Sequence, residues 1–164
     1  WDNGVKKIEQ AYMDGKQHGS DVRWYSSGQV VSKGTFVNGQ ADGVVEVWHS
    51  NGNKKSRLEF KNGIASGLST SWYENGSKKH ERTVNGDKNI GLRTAWYANG
   101  QKKQQANYNM DGKMHGLGIE WFENGQKSYE YNNVDDKIDG SVTMWDVDGN
   151  IIKTVIYKNG EALE

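Results

Sequence analysis

Four histidines, an acidic cluster, one run that begins like a calcium loop and two rows of evenly spaced lysines are the residues of this 164-residue chain that invite chemistry. His18 and His115 each precede a glycine and hold the same position in units four repeats apart. At two strands per unit and about 4.8 Å per strand they stand on the order of 40 Å apart and cannot share a metal ion. His49 and His80 have no Ser or Cys at a spacing that pairs a nucleophile with a base. Asp146-Val147-Asp148-Gly149-Asn150 starts like a calcium loop, but glycine should come sixth and an acidic residue twelfth, where Ile151 and Tyr157 stand. It reads as a hairpin turn. Asp135, Asp136 and Asp139 read as an acidic solvated loop with at most a weak hold on a cation, and no glycine-rich phosphate loop is present. No catalytic residue, cofactor or metal site is therefore expected.

The lysines are more suggestive. Lys54, Lys78, Lys102 and Lys127 each follow a periodic glycine by two residues, and Lys55, Lys79 and Lys103 follow directly. In stacked hairpins each set runs along one face at intervals of about 10 Å. That spacing, near a Debye length, tempers repulsion, so Lys54, Lys78, Lys102 and Lys127 form the candidate surface for an acidic protein or anionic headgroups. Glu74, Glu81, Glu123 and Glu130 lie close enough in sequence to neutralise much of it.

What must position these side chains is an internal repeat. Trp24, Trp48, Trp72, Trp96, Trp121 and Trp145 recur every 24 residues, with one step of 25 between Trp96 and Trp121. A glycine follows each by four positions: Gly28, Gly52, Gly76, Gly100, Gly125 and Gly149. Eight positions further stands an apolar or aromatic residue, except at Asn133. Trp1, three residues before Gly4, fills the slot that Tyr25, His49, Tyr73, Tyr97, Phe122 and Asp146 hold elsewhere. The chain thus reads as a single repeat domain over residues 1–164, with six to seven units of which the first is truncated. A segment upstream of Trp1 is expected.

Composition bounds the architecture. Only 34% of residues are apolar and mean hydropathy is -0.95, so a thick core is not expected. Eighteen aromatics in register nevertheless argue for a folded chain. Lys plus Arg equals Asp plus Glu at 21 each, which leaves no global field to gather nucleic acid. The absence of cysteine suits a reducing cytoplasm, the compartment favoured here; a signal sequence upstream would make the protein periplasmic or lipid-anchored.

Twenty-one glycines and no proline point to strands joined by tight turns. One turn follows each tryptophan at Asn-Gly, Asp-Gly or Ser-Gly, and a second falls half a repeat later, as at Asn38-Gly39, Asn62-Gly63 and Asp111-Gly112. The turns after the tryptophans are predicted to be two-residue type I′ hairpins. Between them lie seven longer and six shorter strands, which pair most simply as one elongated antiparallel β-meander about 60 Å long. Because side chains alternate, the tryptophans share one face and form ladders expected to be the core, while Tyr73, Tyr97 and Phe122 line the other.

The unit Trp72-Tyr73-Glu74-Asn75-Gly76-Ser77-Lys78-Lys79, followed by an Asn-Gly turn and another glycine, resembles the bacterial variant of the MORN repeat. Tyr12 to Gly19 and Tyr108 to Gly116 carry the aromatic, Asp-Gly-Lys and His-Gly signature most fully. The resemblance extends over nearly the whole chain, with departures at Val84, Asn133, Asp136 and Asp146. It implies an all-β, non-enzymatic scaffold that binds a protein partner. Bacterial proteins of this variant are often antitoxins or immunity proteins, whereas eukaryotic relatives are associated with membranes, phosphoinositides and assembly scaffolds. The expected partner is therefore a toxin, with an envelope or membrane-associated scaffold as the alternative and nucleic acid not expected. A homodimer stays open, since a flat sheet with a free edge can pair with its own copy.

Overall fold

The computed structural model describes residues 1–163. They form strands and turns without a helix. Contacts group them into two compact units, Trp1–Ser77 with Val84–Asp87, and Lys78–Thr83 with the residues from Lys88 onward.

The first unit holds β1 (Ile8–Met13), β2 (Lys16–Trp24), β3 (Val30–Val37), β4 (Gln40–Ala41), β5 (Gly43–Trp48), β6 (Lys54–Lys61) and β7 (Ile64–Trp72). Its antiparallel order is β1-β2-β3-β5-β6-β7, with β4 also paired to β3. β8 (Lys78–Asn85) contributes residues to both units. The second unit holds β9 (Lys88–Trp96), β10 (Lys102–Tyr108), β11 (Met114–Trp121), β12 (Lys127–Val134), β13 (Lys137–Ile138), β14 (Gly140–Trp145), β15 (Ile151–Lys158) and β16 (Glu161–Ala162). Its order is β9-β10-β11-β12-β14-β15-β16, again antiparallel, with β13 paired to β12. Each unit is thus an open meander of hairpins. The described residues form sixteen strands where the repeat predicts thirteen. The additions are β16 and the short β4 and β13, split off where Asp42 and Asp139 turn their N–H groups to Thr35 O and Asn132 O.

The turns after the tryptophans correct the two-residue expectation. Tyr25 N–H donates to Gln29 O at 2.8 Å and Gly28 N–H to Tyr25 O at 3.0 Å, and the same pair recurs from His49, Tyr73, Tyr97, Phe122 and Asp146. Only the glycine takes a positive φ, 87° at Gly28 and 88° at Gly52. This is a three-residue loop, a type I turn closed by a glycine bulge. The residue before the glycine keeps a negative φ whether it is asparagine, Ser27 or Asp148; where it is asparagine its Oδ1 also accepts a nearby N–H, as Asn51 does from Asn53 and Asn99 from Gln101, both at 3.0 Å. Half a repeat later two-residue turns with positive φ form at most of the expected pairs, while β8 runs through Asn85 and the turn there is Gly86-Asp87. Asn38, Asn62 and Asn159 stand at φ 49° to 51° before their glycines, and Asp135 and Asp136 reach 51° and 71° without one.

The half-repeat turn after Tyr108 takes a longer form and explains the step of 25 residues. Asn109 N–H donates to Lys113 O and Gly112 N–H to Asn109 O, the three-residue form. Met110, 70% exposed, is the extra residue it accommodates.

A register shift beside the tryptophans recurs in both units. Trp48 pairs with Lys54 while Val47 pairs with Ser56, and Trp96 pairs with Lys102 while Ala95 pairs with Gln104. Lys55 and Lys103 are the extra residues of these bulges. Lys102 therefore stays beside Trp96, and Lys103 is free to face another way.

The expectation that the tryptophan ladders are the core is corrected. All six repeat tryptophans are half-buried. The buried positions are Val84, Ala95, Ala106, Tyr131 and Val142, with the polar Asp21, Thr70, Thr94 and Asn133. In the second unit Arg93, Ala106, Gly118 and Tyr131 pair in succession across four strands, on the face opposite Trp96. Small residues beside large ones close this row, as at Gly34 against Val45 and Gly118 against Tyr131. A single sheet has no second layer to cover an indole; it can bury only what its own neighbouring strands overhang.

Candidate partner-binding surface

The predicted lysine row lies against the tryptophans. In the second unit the ammonium groups of Lys78, Lys102 and Lys127 stand over the rings of Trp96, Trp121 and Trp145, 5.5 to 5.7 Å from their centroids. Each also meets an acceptor three residues on: Glu81 at 2.7 Å, Gln105 at 3.3 Å and Glu130. In the first unit Lys6 repeats this geometry with Trp24 and Glu9, and Lys54 pairs with Glu46 at 2.6 Å. Aliphatic stems thus lie along the indoles, while the charged heads reach water and a neighbouring acceptor. Much of the positive charge in this row is already answered.

After Trp24, Trp48 and Trp96 the next residue joins one repeat to the next. Tyr25 Oη donates to Trp48 O at 2.9 Å, Tyr97 Oη to Trp121 O at 2.8 Å, and His49 Nε2 meets Trp72 O at 3.1 Å. Trp1 makes the same bond from its indole, Nε1 to Trp24 O at 2.9 Å. Turn asparagines add a second series: Asn51, Asn99 and Asn124 donate from Nδ2 to Glu74 O, Glu123 O and Val147 O.

The other predicted candidates are dispersed. His115 Nδ1 lies 3.2 Å from Asp135, which also accepts from Asn109 Nδ2, and Asp136 accepts from Met114 N–H. Asp139 accepts from Lys158 and from Asn159 N–H, as Asp42 does from Lys61 and Asn62 N–H. These donors hold both carboxyls below the usual carboxylate range. Asp146 caps its own turn, accepting from Asp148 N–H and Asn150 N–H. No three metal-capable side chains converge among the described residues. His18 Nδ1 is buried without a hydrogen-bond partner.

A different cluster was not singled out by the repeat pattern. On the second unit His80, Arg93, Ala95, Tyr97, Lys103, Gln104, Glu120 and Trp121 line an open depression of about 320 Å³. Ala95, 5% exposed, is its floor. The residue preceding the repeat tryptophan is elsewhere Arg23, Val47, Ser71, Glu120 or Met144, so the smallest side chain in that series opens the space. Arg93 occupies a position held by Asp21, Val45, Ser69, Gly118 and Val142 in the other repeats, and is the one cation among them. Its guanidinium meets the Gln104 amide oxygen at 3.5 Å, and Gln104 Nε2 donates to Glu120 at 3.0 Å. Lys103, the bulge residue, stands 5.4 Å from the Tyr97 ring centroid. Neither Arg93 nor Lys103 is matched by a carboxylate at ion-pair distance among the described residues. Burial, with the charges of Arg93, Lys79, Arg82 and Lys103, pushes His80 below the usual histidine range. The lining offers charged and hydrogen-bonding groups of the kind that recognise a ligand. The signal for this cluster was in the sequence, as two departures from the repeat within three residues.

No curated protein matches the chain. The family described as MORN repeat variant matches three segments, residues 17–38, 41–62 and 90–110, together less than half the length. These segments take in only the last three residues of Tyr12–Gly19 and the first three of Tyr108–Gly116, so the stretches closest to the signature by eye lie mostly at their margins. The matches recur in the repeating hairpins of both units, and the MORN-repeat family is the one they support for this chain.

Proposed function

We propose that this protein is a non-enzymatic, protein-binding repeat scaffold and, more narrowly, the antitoxin or immunity partner of a bacterial toxin. MORN repeats are in general protein- or membrane-binding modules, which supports the broader reading. The observation that carries a protein partner is the convergence of two cations, Arg93 and Lys103, on one open depression. Lys6, Lys54, Lys61, Lys78, Lys127 and Lys158 each have a carboxylate of this chain within reach, whereas Arg93 and Lys103 face the open depression without one. The row Lys54, Lys78, Lys102 and Lys127 is the alternative contact surface, supported by the exposure of its side chains, 44–48% for Lys54, Lys78 and Lys127.

Toxin neutralisation is tested in the source organism's genetic context. The product of the adjoining gene is expressed alone and together with this protein. Growth arrest by the first, relieved by the second, is the expected result. Arrest that persists on co-expression, or no arrest, contradicts the toxin reading. An envelope scaffold would instead co-sediment with anionic vesicles through the lysine row, with no effect on growth.

A further inference from the structure

We propose that the depression walled by Arg93 and Lys103 receives the carboxylate of an acidic side chain on the partner protein. The inference rests on the protein-binding reading above and names the chemistry of the contact.

Three observations lead to it. First, the two cations approach the same open volume from adjacent strands, β9 and the bulge of β10, and neither is matched by a carboxylate at ion-pair distance among the described residues. A guanidinium offers paired N–H donors in the geometry a carboxylate accepts, and Lys103 adds a point charge. Second, Ala95 lies below and Tyr97 contributes a ring, apolar surface against which the stem of such a side chain can lie. About 320 Å³ is at the low end for ligand pockets, enough for one side chain and not for a large cofactor. Third, Glu120 belongs to the wall, held by the Gln104 amide. A monoanionic carboxylate bound by Arg93 tolerates that neighbour. A dianionic phosphomonoester meets stronger repulsion; the phosphodiesters of lipids and nucleic acid are monoanions, and against these stands the balance of 21 basic and 21 acidic residues, which leaves no field to gather a polyanionic strand or membrane.

The site belongs to one repeat, since no other repeat combines Ala before the tryptophan with a cation two residues before that Ala. The scaffold therefore carries a local address on a repetitive surface.

The test is an amide-resolved NMR titration of the full chain with a hexaglutamate peptide, repeated with phosphatidylserine vesicles. The expected result is shifts centred on Arg93, Ala95, Lys103 and Gln104, and binding weakened about tenfold or more in Arg93→Gln/Lys103→Gln. A Lys78→Gln/Lys102→Gln variant should bind the peptide within about twofold of wild type. Unperturbed spectra elsewhere show that the variants fold. Shifts that follow Lys78, Lys102 and Lys127 instead, vesicle binding without peptide binding, or no shifts at millimolar peptide each overturn the proposal. Failure here is separable from failure of the toxin reading. If Arg93→Gln/Lys103→Gln still relieves toxin arrest, the reading stands and this site falls. If the peptide binds as expected while arrest persists, the site stands and the toxin reading falls.

Discussion

Tyr131 occupies the space that a side chain at Gly118 would need. The two residues are directly paired between β11 and β12, and a Cβ added at Gly118 would overlap ring carbons Cε2 and Cζ and stand 2.8 Å from Oη. Gly118 is buried, as is Tyr131 at 7% exposure, so the ring has little room to retreat. The glycine here serves close packing, whereas the turn glycines serve backbone conformation.

Gly118→Ala should therefore destabilise the protein by about 1–3 kcal/mol through overpacking. Urea unfolding of Gly118→Ala, Tyr131→Leu and the double variant measures it. A positive coupling, with the double variant more stable than the sum of the singles, is expected; strict additivity would show that the ring is not what excludes the methyl group.

Acid should weaken the first unit through Asp21. Burial alone would raise its carboxyl, but hydrogen bonds from Arg23, Gln10 and Gln17, with the Arg23 charge, outweigh it and hold it below the usual range. A depressed folded-state value gives stability that is complete above the unfolded value, about 3.9, and is lost as pH falls through the lower folded value. Thermal melts should therefore drop below about pH 4. Asp21→Asn should lower stability at pH 7 by about 1–3 kcal/mol and flatten that acid limb; an unchanged limb would assign the acid loss to other carboxyls.

The turn at Asn109–Lys113 gives a prediction about length. Deleting Met110 leaves Tyr108-Asn109-Asp111-Gly112-Lys113, the pattern of Phe60-Lys61-Asn62-Gly63-Ile64. The turn should revert to the two-residue form at a cost under about 1 kcal/mol, because no strand residue changes face. Deleting Gln105 inside β10 shifts every later residue of that strand to the other face and should abolish cooperative unfolding. Calorimetry of the two deletions compares them, and equal losses would refute this account of the 25-residue step.

The repeat, its antiparallel hairpins and the half-repeat turns were legible because they depend on spacing and on Asn-Gly or Asp-Gly pairs. Trp1 is the sharpest instance. Its distance from Gly4 placed it in the tyrosine slot, and its indole makes the bond that Tyr25 makes one repeat later. The turns after the tryptophans were misread because an Asn-Gly pair suits both the two-residue turn and the three-residue turn with a glycine bulge, and the residue types do not say which backbone pair closes the loop. The buried row was misplaced because hydrophobicity ranks Trp first, while burial in one layer depends on what adjacent strands overhang, at Ala95, Ala106 and Val142. Arg93 and Ala95 were passed over because a repeat is read through its agreements, and the candidate site lies where two departures coincide.

The central claim is that the protein captures a protein partner through the surface around Arg93 and Lys103. The most direct measurement is a pull-down from the source cell with the full-length protein, comparing wild type, Arg93→Glu/Lys103→Glu and the quadruple Lys54, Lys78, Lys102, Lys127→Glu variant, each checked for folding. The account predicts one acidic protein retained in stoichiometric amount by wild type, lost in the first variant and kept in the second. Loss confined to the quadruple variant, or retention of nothing beyond membrane lipid or the protein itself, would contradict it.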